Sequence, residues 1–201
     1  MKKFLGLSLA IALALPAVLA AGPAEAHLLG LHGAGFAAGF GHPLLGLDHL
    51  IAMFAVGLWA AQQGGRAQWA VPAGFVVAMT AGGALGMLGI GGSGLPYVET
   101  GIAASVLLLG VLVLGRAVMP VAVGTAIVAV FALLHGHAHG TELPLAASPV
   151  AYAAGFVLAT SLIHVAGVFT GRVIRGIGEG ALLRLAGGAI AASGLVLLAA
   201  V

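Results

Sequence analysis

Long apolar runs, separated by short breaks rich in glycine, proline and polar residues, dominate the pattern along the chain after residue 26. A helix needs about 20 predominantly apolar residues to span a bilayer. Six runs come close to this length, and we predict a helix for each. They cover residues 36–61, 69–90, 98–114, 119–139, 150–170 and 182–201. The predicted fold class is therefore all-α, a polytopic membrane protein with about six transmembrane helices.

The first 26 residues have the pattern of a secretory signal peptide. Lys2 and Lys3 form a charged start, residues 4–19 an apolar stretch, and Ala24–Ala26 a small-x-small cleavage site. An uncleaved first membrane helix is the alternative, although two prolines and a glutamate interrupt the run. We predict a signal peptide over residues 1–26 and a single transmembrane domain over residues 27–201.

The basic residues indicate how the helices are oriented. Short connections make neighbouring helices antiparallel. If residue 27 lies outside, the first, third and fifth connections are cytoplasmic. These connections and the start of the last helix hold all the basic residues of the predicted mature chain, Arg66, Arg116, Arg172, Arg175 and Arg184. Cytoplasmic loops carry an excess of Lys and Arg, so we predict a bacterial inner-membrane protein with a periplasmic mature N-terminus.

The composition narrows the function classes. A chain that is 62% hydrophobic and 6% charged is not an ordinary soluble domain. Its net charge of +2 comes from few, scattered residues, so we expect no nucleic-acid partner. The absence of cysteine excludes disulfides and thiolate metal sites. No nucleotide-binding loop is present in the sequence, so we expect no coupling to ATP hydrolysis, and any movement of a solute would be passive or ion-coupled.

Against this apolar background, ionisable side chains are concentrated in two short clusters. They comprise His42, Asp48 and His49 in the first, and His135, His137, His139 and Glu142 in the second. A charged side chain at mid-helix costs about 2.5–3.5 kcal/mol on insertion scales, and a chain this apolar could avoid that cost. The predicted topology places both clusters, and Glu99 at the start of the third helix, toward the periplasm. We predict an ion pathway.

The second cluster fits one face of a helix. His135, His139 and Glu142 are spaced i, i+4 and i+7, so they share that face. We predict that the two imidazoles chelate one divalent ion, with Glu142 adding negative charge. His137 points elsewhere, toward a different helix or a second binding position. The glycines at 136 and 140 let another backbone approach closely.

The first cluster requires a distorted backbone if its histidines act together. His42 and His49 would lie about 10 Å apart along an ideal helix. However, His42 precedes Pro43, and Gly46 follows, so we favour a broken or late-starting helix, or else two successive binding positions. Asp48 is either the source of negative charge or the hydrogen-bond partner that fixes an imidazole tautomer.

The remaining polar residues have simpler explanations. His164, near Thr160, fits either a packing residue satisfied inside the bundle or a part of the pathway. His27 and His32 fit solvated loop residues. A carboxylate such as Glu99 is favourable at a helix N-terminus on dipole grounds alone.

Three strings of the sequence resemble the HupE/UreJ family of membrane proteins. They are Gly39-Phe-Gly-His-Pro-Leu-Leu-Gly-Leu-Asp-His-Leu-Ile-Ala-Met53, Val98-Glu-Thr-Gly-Ile-Ala-Ala-Ser105 and His135-Gly-His-Ala-His-Gly-Thr-Glu142. The resemblance extends over essentially the whole mature chain. It implies a nickel permease that supplies hydrogenase or urease. It carries the family's motif residues over to His42, Asp48, His49, Glu99, His135, His139 and Glu142, and we keep His137 as a further candidate metal ligand.

Imidazole and carboxylate donors without thiolate suit Ni(II), Co(II) or Zn(II) rather than Cu(I). We therefore expect Ni(II) as the transported ion, with Co(II) or Zn(II) as alternatives, and no permanently bound cofactor. The expected partners are the metal ion, the lipid bilayer and cytoplasmic nickel chaperones of hydrogenase or urease.

Two other functions fit parts of the pattern. One is an intramembrane metalloenzyme with His135 and His139 as zinc ligands, although the sequence lacks the His-Glu-x-x-His arrangement of such sites. We therefore predict no catalytic residues. The other is a metal- or haem-binding accessory subunit of a membrane complex, with histidines as axial ligands.

Overall fold

The computed structural model describes residues 35–91, 97–143, 148–176 and 180–201. The predicted signal peptide, its cleavage site, His27 and His32 lie outside these ranges. Within them the regular secondary structure is entirely α-helical, as predicted. The helices are α1 (Phe36–Leu45), α2 (Leu47–Gln63), α3 (Ala67–Met87), α4 (Val98–Leu114), α5 (Val121–Thr141), α6 (Pro149–Gly176) and α7 (Gly180–Ala200).

The first predicted helix, 36–61, is broken in two. Gly46 is extended, with φ −81° and ψ 111°, and separates α1 from α2. The two helices meet at an angle of 82°. Pro43 in α1 has no N–H to donate, which weakens the helical hydrogen-bond pattern just before the break. The expectation of a broken helix is confirmed, and His42 and His49 are no longer held at the spacing of one straight helix.

The fifth predicted helix was too short. We predicted an end at residue 170 because Gly171 begins a glycine-rich stretch, but α6 continues to Gly176. Gly171 instead lets α6 approach α2, because a Cβ added there would lie 3.1 Å from the Leu58 carbonyl oxygen. Arg172 and Arg175 therefore occupy the last turns of α6 and not a connecting loop. The other predicted helix ends differ from the observed ones by up to three residues.

Several helices have the length and composition of membrane spans. Four of them, α3, α5, α6 and α7, are each long and apolar enough to cross a bilayer, and the bent pair α1–α2 gives up to five. Helix α4 is apolar but has only 17 residues, the lower limit for a span. Large apolar side chains such as Val77, Leu88 and Phe169 are exposed on the outside of the bundle, as in a protein surrounded by lipid. The chain is a multi-pass membrane protein, and the count of six spans stays a prediction.

Glycines bring the backbones of α3 and α5 into direct contact. A Cβ added to Gly136 would lie 2.8 Å from the Gly83 amide nitrogen, and one added to Gly140 would lie 3.0 Å from the Met87 amide nitrogen. The close approach expected at these glycines is confirmed. Helix α5 nevertheless stays continuous from Val121 to Thr141, so the three histidines of the second cluster keep their helical spacing, and Glu142 follows as the C-terminal cap residue.

Candidate metal centre

The break at Gly46 places the two histidines of the first cluster on either side of His139. The ring centroids of His42 and His139 are 4.5 Å apart, and those of His49 and His139 are 4.3 Å apart. The ring of His49 also lies 5.0 Å from that of His135. The four side chains form a continuous row in the order His42, His139, His49, His135, which we call the imidazole row. The two clusters are thus one site in three dimensions.

Glu142 lies at one end of this row. Its Oε2 atom lies 3.7 Å from Nε2 of His42 and 3.8 Å from Nδ1 of His139. The candidate ligand atoms of these three residues all lie within 4.8 Å of one another. A metal such as zinc binds imidazole nitrogen at about 2.0–2.1 Å, so two ligands on opposite sides of one ion lie up to about 4.2 Å apart. Small side-chain rotations would therefore bring all three onto one ion.

Hydrogen bonds to oxygen atoms fix the proton positions of two rings in the row. The Asp48 carboxylate accepts from the His49 backbone N–H at 2.8 Å and lies 2.7 Å from Nδ1 of the same residue. The Phe131 carbonyl lies 2.9 Å from Nδ1 of His135. Because these oxygens accept, Nδ1 carries the proton in both rings, and Nε2 keeps its lone pair. Metal-binding histidines are usually oriented in this way, so the positioning role considered for Asp48 is the one the geometry supports.

Four ring nitrogens of the buried histidines in the row have no hydrogen-bond partner within the described ranges. Neither nitrogen of His139 makes a hydrogen bond, nor does Nε2 of His49 or of His135. All three side chains are buried, His135 completely. A buried polar atom without a partner costs about 1–3 kcal/mol, and neutral imidazoles whose lone pairs converge do not satisfy one another. A bound cation would satisfy the lone pairs among them that point toward it.

The carboxylates add negative potential at the Glu142 end. Burial by its neighbours raises the pKa of the Glu142 carboxyl above its ordinary value, and the charges of Glu99 and Asp48 contribute to the increase. Glu99 is exposed in the first turn of α4, so it acts on the site through its charge and is not among the grouped ligands. A carboxyl in such surroundings gains from the approach of a cation.

Helix α6 supplies aromatic side chains that the sequence did not single out. The Phe156 ring lies 4.4 Å from that of His139, and the Tyr152 ring lies 6.2 Å from that of His42. Both also line a cavity of about 130 Å³ between α3, α5 and α6, into which His139 projects. The lining of this cavity is almost entirely apolar. The one available signal was the recurrence of Ala37-Ala-Gly-Phe40 as Ala153-Ala-Gly-Phe156, which points to no chemistry.

His137 is the histidine of the second cluster that the row leaves out. Its Nε2 lies 2.9 Å from the carbonyl oxygen of Ile90, which follows α3. His137 therefore points away from the row, toward the turn that follows α3. Its inclusion among the metal ligands stays a prediction, as does that of Glu99.

The fold and the site define a class: a multi-pass helical membrane protein with a buried imidazole row and a carboxylate at one end. The sequence model of the HupE / UreJ protein family matches residues 13–197, and the chain belongs to this family. It is 46% identical over 187 residues to Protein HupE of Rhizobium leguminosarum bv. viciae, an alignment that covers 93% of each chain. No solved structure matches. The family inferred from the three sequence strings is confirmed.

Proposed function

We propose that this protein is a permease for a divalent transition-metal ion, with Ni(II) as its cargo, and that it moves the ion from the periplasm to the cytoplasm. The observation that carries the proposal is the convergence of His42, His139 and Glu142 beside the unpartnered nitrogens of His49 and His135. The HupE/UreJ family is associated with nickel and cobalt transport for hydrogenase and urease, which favours these metals over zinc.

The donor set supports this choice of cargo. Imidazole and carboxylate ligands suit Ni(II) and Co(II). The proposal includes no catalytic step and no resident cofactor.

The arginines support the proposed direction. Arg116 and Arg175 line a second cavity together with Gln62, at the end of the bundle where α2 and α6 finish. The imidazole row lies toward the other end, where α5 finishes and α6 begins. Under the positive-inside rule the arginine end is cytoplasmic. The ion would then enter at Glu142 and leave toward cytoplasmic nickel chaperones of hydrogenase or urease.

The proposal is tested by measuring metal influx into proteoliposomes that contain the purified protein and a metal-sensitive dye. We expect saturable Ni(II) influx that Co(II) reduces more strongly than Zn(II) or Mn(II). His139→Gln should abolish influx at limiting Ni(II), whereas His137→Gln, on the same helix but outside the row, should retain most of it. If folded wild-type protein transports none of the four metals, the permease proposal is rejected.

A further inference from the structure

We infer that His164 is a second, deeper metal-binding position that receives the ion from His135 past the side chain of Phe75. This inference rests on the proposed permease function and extends it from binding to passage. It assigns a role to a histidine that the two sequence clusters do not contain.

The surroundings of His164 do not match those of a packing histidine. Its side chain is buried, and the Thr160 carbonyl one turn earlier can accept from one ring nitrogen, which leaves the other without a partner among the described residues. The neighbouring hydroxyls do not serve it, because the Thr160 hydroxyl is directed to the sulfur of Met79 at 3.7 Å and the Ser161 hydroxyl donates to the Val157 carbonyl at 2.7 Å. His164 thus has a buried ring nitrogen without a partner, as His49 and His135 do.

Phe75 connects His164 to the end of the row. The ring centroids of Phe75 and His135 are 5.7 Å apart, and those of Phe75 and His164 are 4.9 Å apart. Phe75 is itself 1% exposed. One aromatic ring therefore separates the innermost imidazole of the row from the next unpartnered imidazole.

The depth of His164 fits a position on the way through the membrane. Helix α6 contacts the row at Phe156, which lies against His139. His164 follows eight residues later, about 12 Å further along the helix axis. It lies near the middle of α6, which runs from Pro149 to Gly176. Transporters commonly place their substrate sites near the middle of the bilayer.

This arrangement predicts a particular kinetic effect. The imidazole row sets the concentration at which metal occupies the protein, because it meets the ion first. Loss of His164 would remove a later binding position and slow passage without weakening the first binding step. A variant at this position should lower the maximal rate and leave the half-saturating concentration nearly unchanged.

The test compares His164→Leu and His164→Gln with wild type in two assays. Initial Ni(II) influx into proteoliposomes gives the maximal rate, and equilibrium binding of Ni(II) to the protein in detergent gives its affinity for the row. We expect the maximal rate of influx to fall at least about 10-fold in both variants. The half-saturating Ni(II) concentration should stay within about 3-fold of the wild-type value. Leucine removes an unpartnered polar group, so the thermal midpoint should not fall.

The outcomes separate the two proposals. Wild-type maximal rates in a folded His164 variant would show that His164 is a packing residue and overturn the inference, while the permease proposal would stand. A large rise in the half-saturating Ni(II) concentration would place His164 within the first binding site, and this result would also overturn the inference. If His164→Leu does not fold, His164→Gln, which keeps a polar side chain, decides between these results. Failure of wild type to transport any metal would instead reject the permease proposal.

Discussion

The two ends of the helix bundle differ in how their buried polar side chains are hydrogen-bonded, although both ends contain buried polar atoms without a partner. At the arginine end, Trp59 Nε1 donates to the Ala117 carbonyl at 2.9 Å, and Gln62 Nε2 donates to the Val113 carbonyl at 3.0 Å. Each of these side chains thus makes a hydrogen bond that joins two parts of the bundle. In the imidazole row, by contrast, His139 is buried and makes none.

The difference indicates which polar groups hold the fold together and which serve another purpose. A buried hydrogen bond contributes about 0.5–1.5 kcal/mol to stability, whereas an unpartnered polar atom costs about 1–3 kcal/mol. Replacement at the arginine end should therefore lower stability and spare transport. Replacement in the imidazole row should abolish transport and spare stability.

The largest effect on transport is expected for His139→Gln. His139 lies between His42 and His49 and is within reach of Glu142, so its loss divides the row. Because loss of a hydrogen-bond partner of a ligand already costs 10- to 100-fold in metal affinity, loss of this ligand should cost at least about 100-fold. The measurement is Ni(II) affinity together with the thermal midpoint. An equal loss in His137→Gln would contradict this account of the row.

Loss of His135 should not add fully to that of His139. The two side chains belong to one row and are joined through the ring of His49, so we expect their effects on Ni(II) binding to be strongly coupled. The double variant His135→Gln/His139→Gln should bind Ni(II) scarcely more weakly than His139→Gln alone. Additive losses would indicate two independent sites.

Asp48→Asn should have the next largest effect, a loss of about 10- to 100-fold in metal affinity. The substitution keeps the shape of the side chain but removes the charge that holds the His49 ring through Nδ1. Competition binding of Ni(II) measures the loss. The comparison is Glu99→Gln, which removes an exposed carboxylate outside the row. If Glu99 acts only through its charge, this variant should cost about 3-fold or less, whereas a larger loss would support its predicted role as a ligand. If the two variants behave alike, Asp48 acts only through its charge at a distance.

Transport should depend on external pH through Glu142. The carboxyl is ionised above its pKa, and burial together with the charges of Glu99 and Asp48 raises that pKa above its ordinary value. As pH falls, Glu142 therefore loses its charge earlier than an ordinary glutamate, and influx at limiting Ni(II) should fall with it. The Glu142→Gln variant should have lower Ni(II) influx than wild type at neutral pH, and its influx should fall less steeply as the pH is lowered. If influx through this variant falls as steeply with pH as it does in wild type, the pH dependence belongs to other groups.

The smallest effect on transport is expected for Gln62→Met at the arginine end. Methionine keeps the length of the side chain but lacks the amide that bonds the Val113 carbonyl. The expected cost is about 1 kcal/mol, or about 2–4 °C in the thermal midpoint for a domain of this size. Ni(II) affinity should stay at the wild-type value. A clear loss of affinity would show that the two ends do not differ in the way described.

The sequence was informative where the decisive forces are local. Pro43 and Gly46 predicted a break in the first helix, and the spacing of His135, His139 and Glu142 predicted a shared helical face. Both follow from backbone geometry within a few residues. The extension of α6 beyond Gly171 was missed because the sequence alone does not distinguish a glycine that ends a helix from a glycine that allows two helices to pack closely.

The assembly of the site was beyond local reasoning. That His139 lies between His42 and His49, and that Phe156 and Tyr152 flank the row, depends on contacts between α1, α2, α5 and α6. The pair α1–α2 is far from the pair α5–α6 in the sequence, and nothing in their spacing specifies how the two pairs cross. The same holds for Phe75, whose position between His135 and His164 depends on how α3 packs against α5 and α6.

The central claim is that the imidazole row binds the transported ion, and X-ray absorption at the nickel edge tests it most directly. Purified wild-type protein loaded with one equivalent of Ni(II) should show several imidazole nitrogen ligands together with oxygen ligands. His139→Gln, loaded under the same conditions, should bind less metal and lose imidazole scattering, while His137→Gln should give the wild-type spectrum. Oxygen-only coordination in wild type, or an unchanged spectrum in His139→Gln, would contradict the account.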